Sequence, residues 1–176
     1  MTIKNMSKII KLTKKYETIV DDNLFEELNK FKWFAAKDTR SDNYYACRRV
    51  HKNEKLIFNK VHIRLHQYIF YIKKQITNFR LQNIDHKDGD TFNNQYNNLR
   101  LCSTSNNLKN QKLNKRNTSG YKGVSWHKSR KKWRTVIRIN KKSIDIGYFI
   151  SKLDAVKAYN KAATKYYGEF ARLNLL

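Results

Sequence analysis

Hydrophobic and polar positions change period several times along this chain, and each change predicts an element. "KIIKLT" and "YETIV" are short β-branched runs on either side of "KK", which predicts a hairpin. Asp21 and Asp22 then open a predicted helix. Leu24, Phe25, Leu28 and Phe31 follow at helical spacing, with acids in the first turn where the helix dipole favours them. "KWFAA" and "NYYACRRV" read as two further strands joined by "KDTRSDN". In "VHIRLHQYIFYIKK", Ile63, His66, Gln67 and Phe70 share one side if the run is helical. "LQNID" and "NLRLCS" alternate as short strands around a turn-rich loop, and "STSNNLKNQKL" predicts a helix with Ser103 or Ser105 as N-cap.

The last third is the most regular. "YKGVSWH", "KWRTVIRI" and "KSIDIGYF" predict three strands, with "KSRK" and "NKK" as turns. Alternation puts Arg134, Val136 and Arg138 on one face of the middle strand and Trp133, Thr135, Ile137 and Ile139 on the other. "SKLDAVKAYNKAATKYYG" predicts a helix started by Ser151 and Asp154 and ended by Gly168. Its stripe is Ala155, Ala158, Tyr159, Ala162, Ala163 and Tyr166, small enough to lie close on a sheet. The chain is therefore expected to be α+β and built of small modules. These are an N-terminal β-rich region over 1–60, a central ββα unit over 61–112, a polar linker over 113–119, and a three-stranded antiparallel sheet on one helix over 120–176. Each alone would hold a thin core. With no proline and five glycines, the chain is expected to turn mainly at Asn and Asp.

Charge narrows the partner. Lys and Arg number 38 against 14 acids, a formal charge of +24, so the folded chain repels itself unless a polyanion neutralises it. Double-stranded DNA is the expected partner. Aromatics at 13% exclude a disordered basic tail. No apolar run is long enough to span a bilayer, and "MTIKNMSKIIKLTKKYETIV" lacks the continuous apolar stretch and cleavage site of a signal peptide. A soluble, intracellular protein with no membrane partner is expected, the monomer favoured. Cys47 and Cys102 are too few for a disulfide framework or a four-cysteine zinc site, and are expected to be small buried apolar residues.

"IDHKDGDTFNNQYNNLRLCSTSNN" sets acids and amides in the middle of this basic chain. Asp85 and His86 are neighbours and would point to opposite faces of a strand, so the turn-rich "HKDGD" is needed for both to serve one site. Carboxylate and amide oxygens are hard ligands suited to Mg²⁺ (or Mn²⁺), and Asn107 at the start of the next helix is a second such donor. Because an imidazole titrates near neutral pH, His86 is expected to stay free of the metal and take a proton from an attacking water, while the cation neutralises charge building on a phosphate. An EF-hand reading fails, because Gly89 at loop position six puts Ile84 at position one, where a carboxylate is required. Zinc suits so oxygen-rich a set less well.

Asp85-His86, then Asn98 in "NNLRLC", then Asn107, resemble the HNH (ββα-metal) endonucleases in their phage and intron-homing form, with Asn in place of the last His. The resemblance implies a Mg²⁺- or Mn²⁺-dependent DNA endonuclease. In it His86 is the general base, Asp85 and Asn107 hold the metal, and Asn98 pins the loop. "LTKKYETIVDDNLFEELNKFKWFA" is similar to the region that commonly precedes such motifs, and His66 stands where they usually carry "MHRL", read here as structural first and as a site residue second. The last segment resembles the Apetala/ethylene-response-factor DNA-binding domain, which also occurs behind HNH motifs in phage and viral nucleases. The matching pieces are "YKGVSWH", "KWRTVIRI", "IGYF", "DAVKAYNKAATKYYG" and "FARLN".

That resemblance implies a sheet face laid on duplex DNA, with Lys122, Arg134 and Arg138 as first contacts and Trp126, His127 and Lys128 widening the footprint. Ser125, Val136 and Asp145 stand where the plant domains usually place Arg, Glu and Trp, so their GC-rich target does not carry over. One active site per chain implies a nick as the product. The main rival is a DNA-binding regulator without catalysis. A second is an RNA-binding protein that stacks bases on Tyr44, Tyr45 and Trp126.

Overall fold

The two opening β-branched runs close into an antiparallel hairpin, β1 (Ser7–Lys11) and β2 (Glu17–Asp21), with Ser7 opposite Asp21. The structure, a computed structural model, describes residues 6–39, 41–77, 83–113 and 116–176. Lys14 and Lys15 hold positive φ in the hairpin's turn, and Lys131 and Lys141 do so further on. Lysine thus shares with asparagine the left-handed positions expected of Asn and Asp. Exposed lysines bear that steric cost without disturbing a core.

α1 (Asp22–Asn29) buries Leu24 and Leu28, and Trp33 Nε1 donates to the Leu28 carbonyl at 2.8 Å, satisfying one of the orphan acceptors at the helix end. β3 (Phe34–Lys37), β4 (Tyr44–Arg49) and β5 (His62–Arg64) form a sheet in that order, with α2 (Lys55–Phe58) between β4 and β5 along the chain. Ile63, expected on a helix, is buried in β5. The helix α3 (Leu65–Lys74) starts two residues later, where Gln67 Oε1 reaches back to accept from the Arg64 amide. β6 (Asn83–His86) and β7 (Leu99–Cys102) then pair antiparallel. Leu81 and Gln82, which open "LQNID", lie outside the described residues. α4 (Thr104–Lys109) begins directly after Ser103.

The chain divides into two compact units, Met1–Ser103 and Thr104–Leu176. The core of the first draws on both of its expected segments: Val20, Leu28 and Trp33 from residues 1–60 pack with Leu65, Ile69 and Leu99 from 61–112. Burying these together removes the thin-core problem each segment would face alone. The core also holds a charge. Arg48 lies 4.0 Å from the Phe31 ring and 4.4 Å from the Tyr68 ring, and pairs with Glu54 through both terminal nitrogens. Cys47 is buried and Cys102 half-buried, and burial pushes both thiols up to about 11.

In the second unit β8 (Val124–His127), β9 (Lys132–Ile139) and β10 (Lys142–Phe149) make an antiparallel sheet with β9 central. Val124, Thr135 and Ile137 pack under Ala155, Tyr159 and Ala163 of α5 (Lys152–Tyr167), and Thr135 Oγ1 donates to the Ala155 carbonyl. The expected stripe shifts at its end: Tyr166 is exposed, while Val156 and Tyr167 are buried. The i, i+4 row from Ala155 through Tyr159 and Ala163 lands on Tyr167, whose hydroxyl donates to the Arg138 carbonyl at 2.7 Å and accepts from the Arg138 amide. Asn174 of "FARLN" exchanges hydrogen bonds with the Lys122 backbone and with Asn160 of α5, tying the chain's end to the sheet. Among the described residues no helix is long and apolar enough to cross a membrane.

Gly123 has φ +74, and a Cβ there would overlap the Tyr159 ring and the Val136 carbonyl. Gly123→Ala is therefore expected to destabilise the second unit by about 1–3 kcal/mol, the usual cost of overpacking. Urea unfolding followed by Trp fluorescence tests this, and an unchanged midpoint would refute the close packing.

Candidate active-site loop and basic sheet face

β6 delivers Asp85 and His86 to the turn, with Asp85 opposite Arg100 and His86 opposite Leu99 on β7. Gly89 sits at φ 73 and donates its amide to the His86 carbonyl at 2.9 Å, so the chain reverses immediately after the histidine. The carboxylates that follow cap backbone. Asp88 Oδ1 accepts from the Asp90 amide at 2.8 Å, and Asp90 Oδ1 from the Phe92 amide at 2.9 Å. Asn98 ties the loop across its base. Its Nδ2 donates to the Asn93 carbonyl at 2.8 Å and Asp88 Oδ1 at 3.0 Å, its Oδ1 accepts from the Asp88 amide, and its carbonyl accepts from the Lys87 amide.

His86 is buried, with Nε2 3.3 Å from Asn94 Oδ1. Its ring stands edge-on to that of His66 at 5.0 Å and faces Tyr45 at 6.4 Å. Burial lowers both imidazoles from the ordinary histidine value, His66 far below it, which favours the uncharged ring. His66 is packed against the His86 ring and against Tyr45. Asp85, also buried, accepts on Oδ2 from Arg100 Nε at 2.9 Å and Nη2 at 2.7 Å, a cross-strand ion pair.

A Mg²⁺-like cation takes one or two carboxylates and keeps several waters. Asp85 fits such a cation in donor type, and the Arg100 guanidinium holds its Oδ2. Among the described residues no three His, Cys, Asp or Glu side chains gather into a metal cage. Asp85 and His86 are the last two residues of β6, on alternate faces of the strand, so the turn follows the pair and does not separate it, and Asn98 secures that turn through Asp88 and Asn93. Asn107 lies on α4, in the second unit.

The expected DNA contacts of the second unit divide between the two faces of its sheet. Arg134 and Arg138 point away from α5, with Ser125 and Tyr148 opposite Arg134 and Ser143 opposite Arg138. His127 shares that face, edge-on to Tyr148 at 5.2 Å, and Arg130 stacks on Tyr148 at 4.4 Å. Lys128 is exposed in the adjoining turn. Trp126 lies on the other face, opposite Trp133 and stacked edge-on to it at 5.2 Å. Lys122 is turned inward. Its ammonium donates to the Lys109 and Gln111 carbonyls at 2.6 and 2.9 Å, and burial pulls it down to about 8. Asp145, where the plant domains carry Trp, forms a two-pronged pair with Arg134, which holds its carboxyl below the ordinary value.

Sequence reasoning missed Asn94 and Arg100. Asn94 is one of four asparagines in "NNQYNN", and nothing in that string singles it out. Arg100 becomes visible only once the hairpin register puts it opposite Asp85.

No protein-family model matches the chain, and no solved structure matches it. It is similar to Protein 3.8 of Escherichia phage T7, with 38% identity over 91 residues that cover 51% of this chain and 73% of that protein.

Proposed function

We propose that this chain, which belongs to the family of Protein 3.8 of Escherichia phage T7, is a divalent-metal-dependent DNA endonuclease of the HNH type. The observation that carries the reading is a buried His86 that directly follows a buried Asp85 at the end of β6, before a turn that Asn98 ties at Asp88 and Asn93. His86 takes a proton from water as the oxygen attacks phosphorus. The bond from phosphorus to the departing sugar oxygen breaks, and solvent reprotonates that oxygen. Asp85 would hold Mg²⁺ or Mn²⁺, and the cation would supply charge neutralisation at the phosphate. Asn98 keeps the turn from opening, which holds the base within reach of its water.

Duplex binding falls to the outer face of the β8–β10 sheet. Arg138 and Lys128 supply positive charge there, with Arg134 drawn into its pair with Asp145, and phosphate contacts of this kind weaken as salt rises. Only Asp145, Asp154 and Glu169 offset the basic residues after position 104. A single site per chain makes a nick the product of one encounter. The alternative, a DNA-binding regulator without catalysis, has one observation in its favour: Asp85 is paired with Arg100 in a cross-strand ion pair of the kind that serves structure alone.

Incubating the purified chain with supercoiled plasmid and genomic DNA, in Mg²⁺ and in EDTA, separates the two. Nicking in Mg²⁺ that EDTA abolishes is the expected result. Tight duplex binding with no cleavage in either would overturn the nuclease and leave the regulator.

A further inference from the structure

Asn94 is almost wholly buried and lies between His86 and the N-terminal hairpin. The polarity of each of its contacts is forced. Its Nδ2 lies 3.3 Å from the Thr91 carbonyl, which can only accept, so the amide nitrogen and not the oxygen faces that side. The same Nδ2 donates at 2.8 Å to Thr18 Oγ1, and that hydroxyl spends its own hydrogen on the Phe92 carbonyl at 2.7 Å. Two backbone carbonyls thus fix the orientation of the whole chain of hydrogen bonds. Asn94 Oδ1 is left facing His86 Nε2 at 3.3 Å, and an amide oxygen can only accept.

We infer that Asn94 is a positioning residue that holds a hydrogen on His86 Nε2, so that Nδ1 is the nitrogen that accepts the proton. The inference rests on the nuclease reading for its catalytic consequence and on the hydrogen-bond polarity for its structural one. When water gives up its proton, the N–H bond forms at Nδ1 while Nε2–H stays on Asn94 Oδ1. The resulting imidazolium keeps the same partner, and the ring does not reorient during the step.

The anchorage is long-range. Thr18 belongs to β2, and the Asn94 amide donates to the Ile19 carbonyl while the Ile19 amide donates to the Phe92 carbonyl, a short parallel bridge between hairpin and loop. Residues 1–60 thereby gain a role in the site as its scaffold. Asp21 adds to it, accepting on Oδ2 from the Tyr96 amide at 2.7 Å.

The test is ¹⁵N NMR of the full chain labelled at histidine, near pH 7.5, with His86 assigned through His86→Gln. Long-range ¹H–¹⁵N correlations separate a protonated Nε2 from a protonated Nδ1. The wild type is expected to show His86 protonated at Nε2 alone, and a His86 protonated at Nδ1 would overturn the inference without touching the nuclease reading. Asn94→Leu, which keeps the volume and loses the acceptor, is expected to mix the tautomers. It should also lower kcat for nicking by about ten-fold or more, within the span of a general base's contribution, with KM little changed. Asn94→Asp keeps an acceptor and is expected to restore the Nε2–H signal. If Asn94→Leu does not fold, Thr18→Val, which removes the hydroxyl that receives Nδ2, takes its place with the same expected mixing. A single unmixed Nε2–H tautomer in the folded variant lacking the acceptor or its anchor would overturn the role. An Nε2–H wild type with no nicking under any condition would keep Asn94 as the tautomer anchor and remove the nuclease.

Discussion

His86→Ala is expected to lower the rate of metal-dependent plasmid nicking by about 10²–10⁴-fold, the contribution of a positioned general base, while leaving duplex binding in place. Binding should survive because the outer sheet face that carries Arg134 and Arg138 lies in the second unit, Thr104–Leu176, whereas His86 lies in the first. A gel assay of nicking beside a filter-binding titration reads both. Equal rates for variant and wild type would remove His86 from the reaction.

The pH dependence has a definite sign. Burial lowers the folded-state value of His86, so its base form persists below the ordinary histidine value of 6.5, and the acid limb of nicking should fall beneath that value. An acid limb above it would contradict the burial. Stability moves in the same window. His66 and His86 are both lowered on folding, so the unfolded state takes up protons first as pH falls through 6.5. Stability present above that pH is progressively lost below it, and thermal unfolding at each pH must accompany the rate profile.

Arg48→Ala is expected to cost about 3–5 kcal/mol of stability in the first unit. Arg48 is 1% exposed, its Nη1 also donates to the Arg49 carbonyl at 3.1 Å, and its removal leaves Glu54 in place without its guanidinium. The Phe31 and Tyr68 rings lose the cation between them at the same time. Restoring neutrality on both sides, with Arg48→Met and Glu54→Gln together, should recover part of the loss, since the penalty lies mainly in a charge left behind. Denaturant unfolding of the two variants decides the matter. A loss under about 1 kcal/mol for Arg48→Ala would mean that Glu54 finds water or another partner, as a surface pair would.

Much of the fold is legible locally. β-branched runs broken by "KK" become β1 and β2, the alternation in "KWRTVIRI" separates Arg138 from buried Thr135 and Ile137, and Ser151 does accept from the Asp154 amide at the start of α5. The mismatches arise where tertiary partners overrule local pattern. Ile63 fits a helical stripe equally well but pairs as a strand with Arg48, and Tyr167 displaces Tyr166 because a backbone carbonyl and amide of β9 await its hydroxyl. In the candidate site, the positions of Asp85, His86 and Asn98 in the hairpin follow from turn chemistry written in "HKDGD". Alternation along β8 also puts Trp126 on the face of buried Val124, away from Ser125 and His127, whereas the inward turn of Lys122 toward the Lys109 and Gln111 carbonyls does not follow from its being basic.

Composition, period and turn residues by themselves determined that the chain is basic, α+β, and carries Asp85-His86 at a sharp turn, because those properties depend on neighbours a few positions away. Only the tertiary structure decided that Arg100 meets Asp85, that Arg48 is caged by aromatics, and that Thr18 orients Asn94 toward His86 from 76 positions away. The reason is physical. Hydrogen-bond polarity and ion pairing are settled by which strands lie side by side and in what register, and a linear pattern of side chains holds neither.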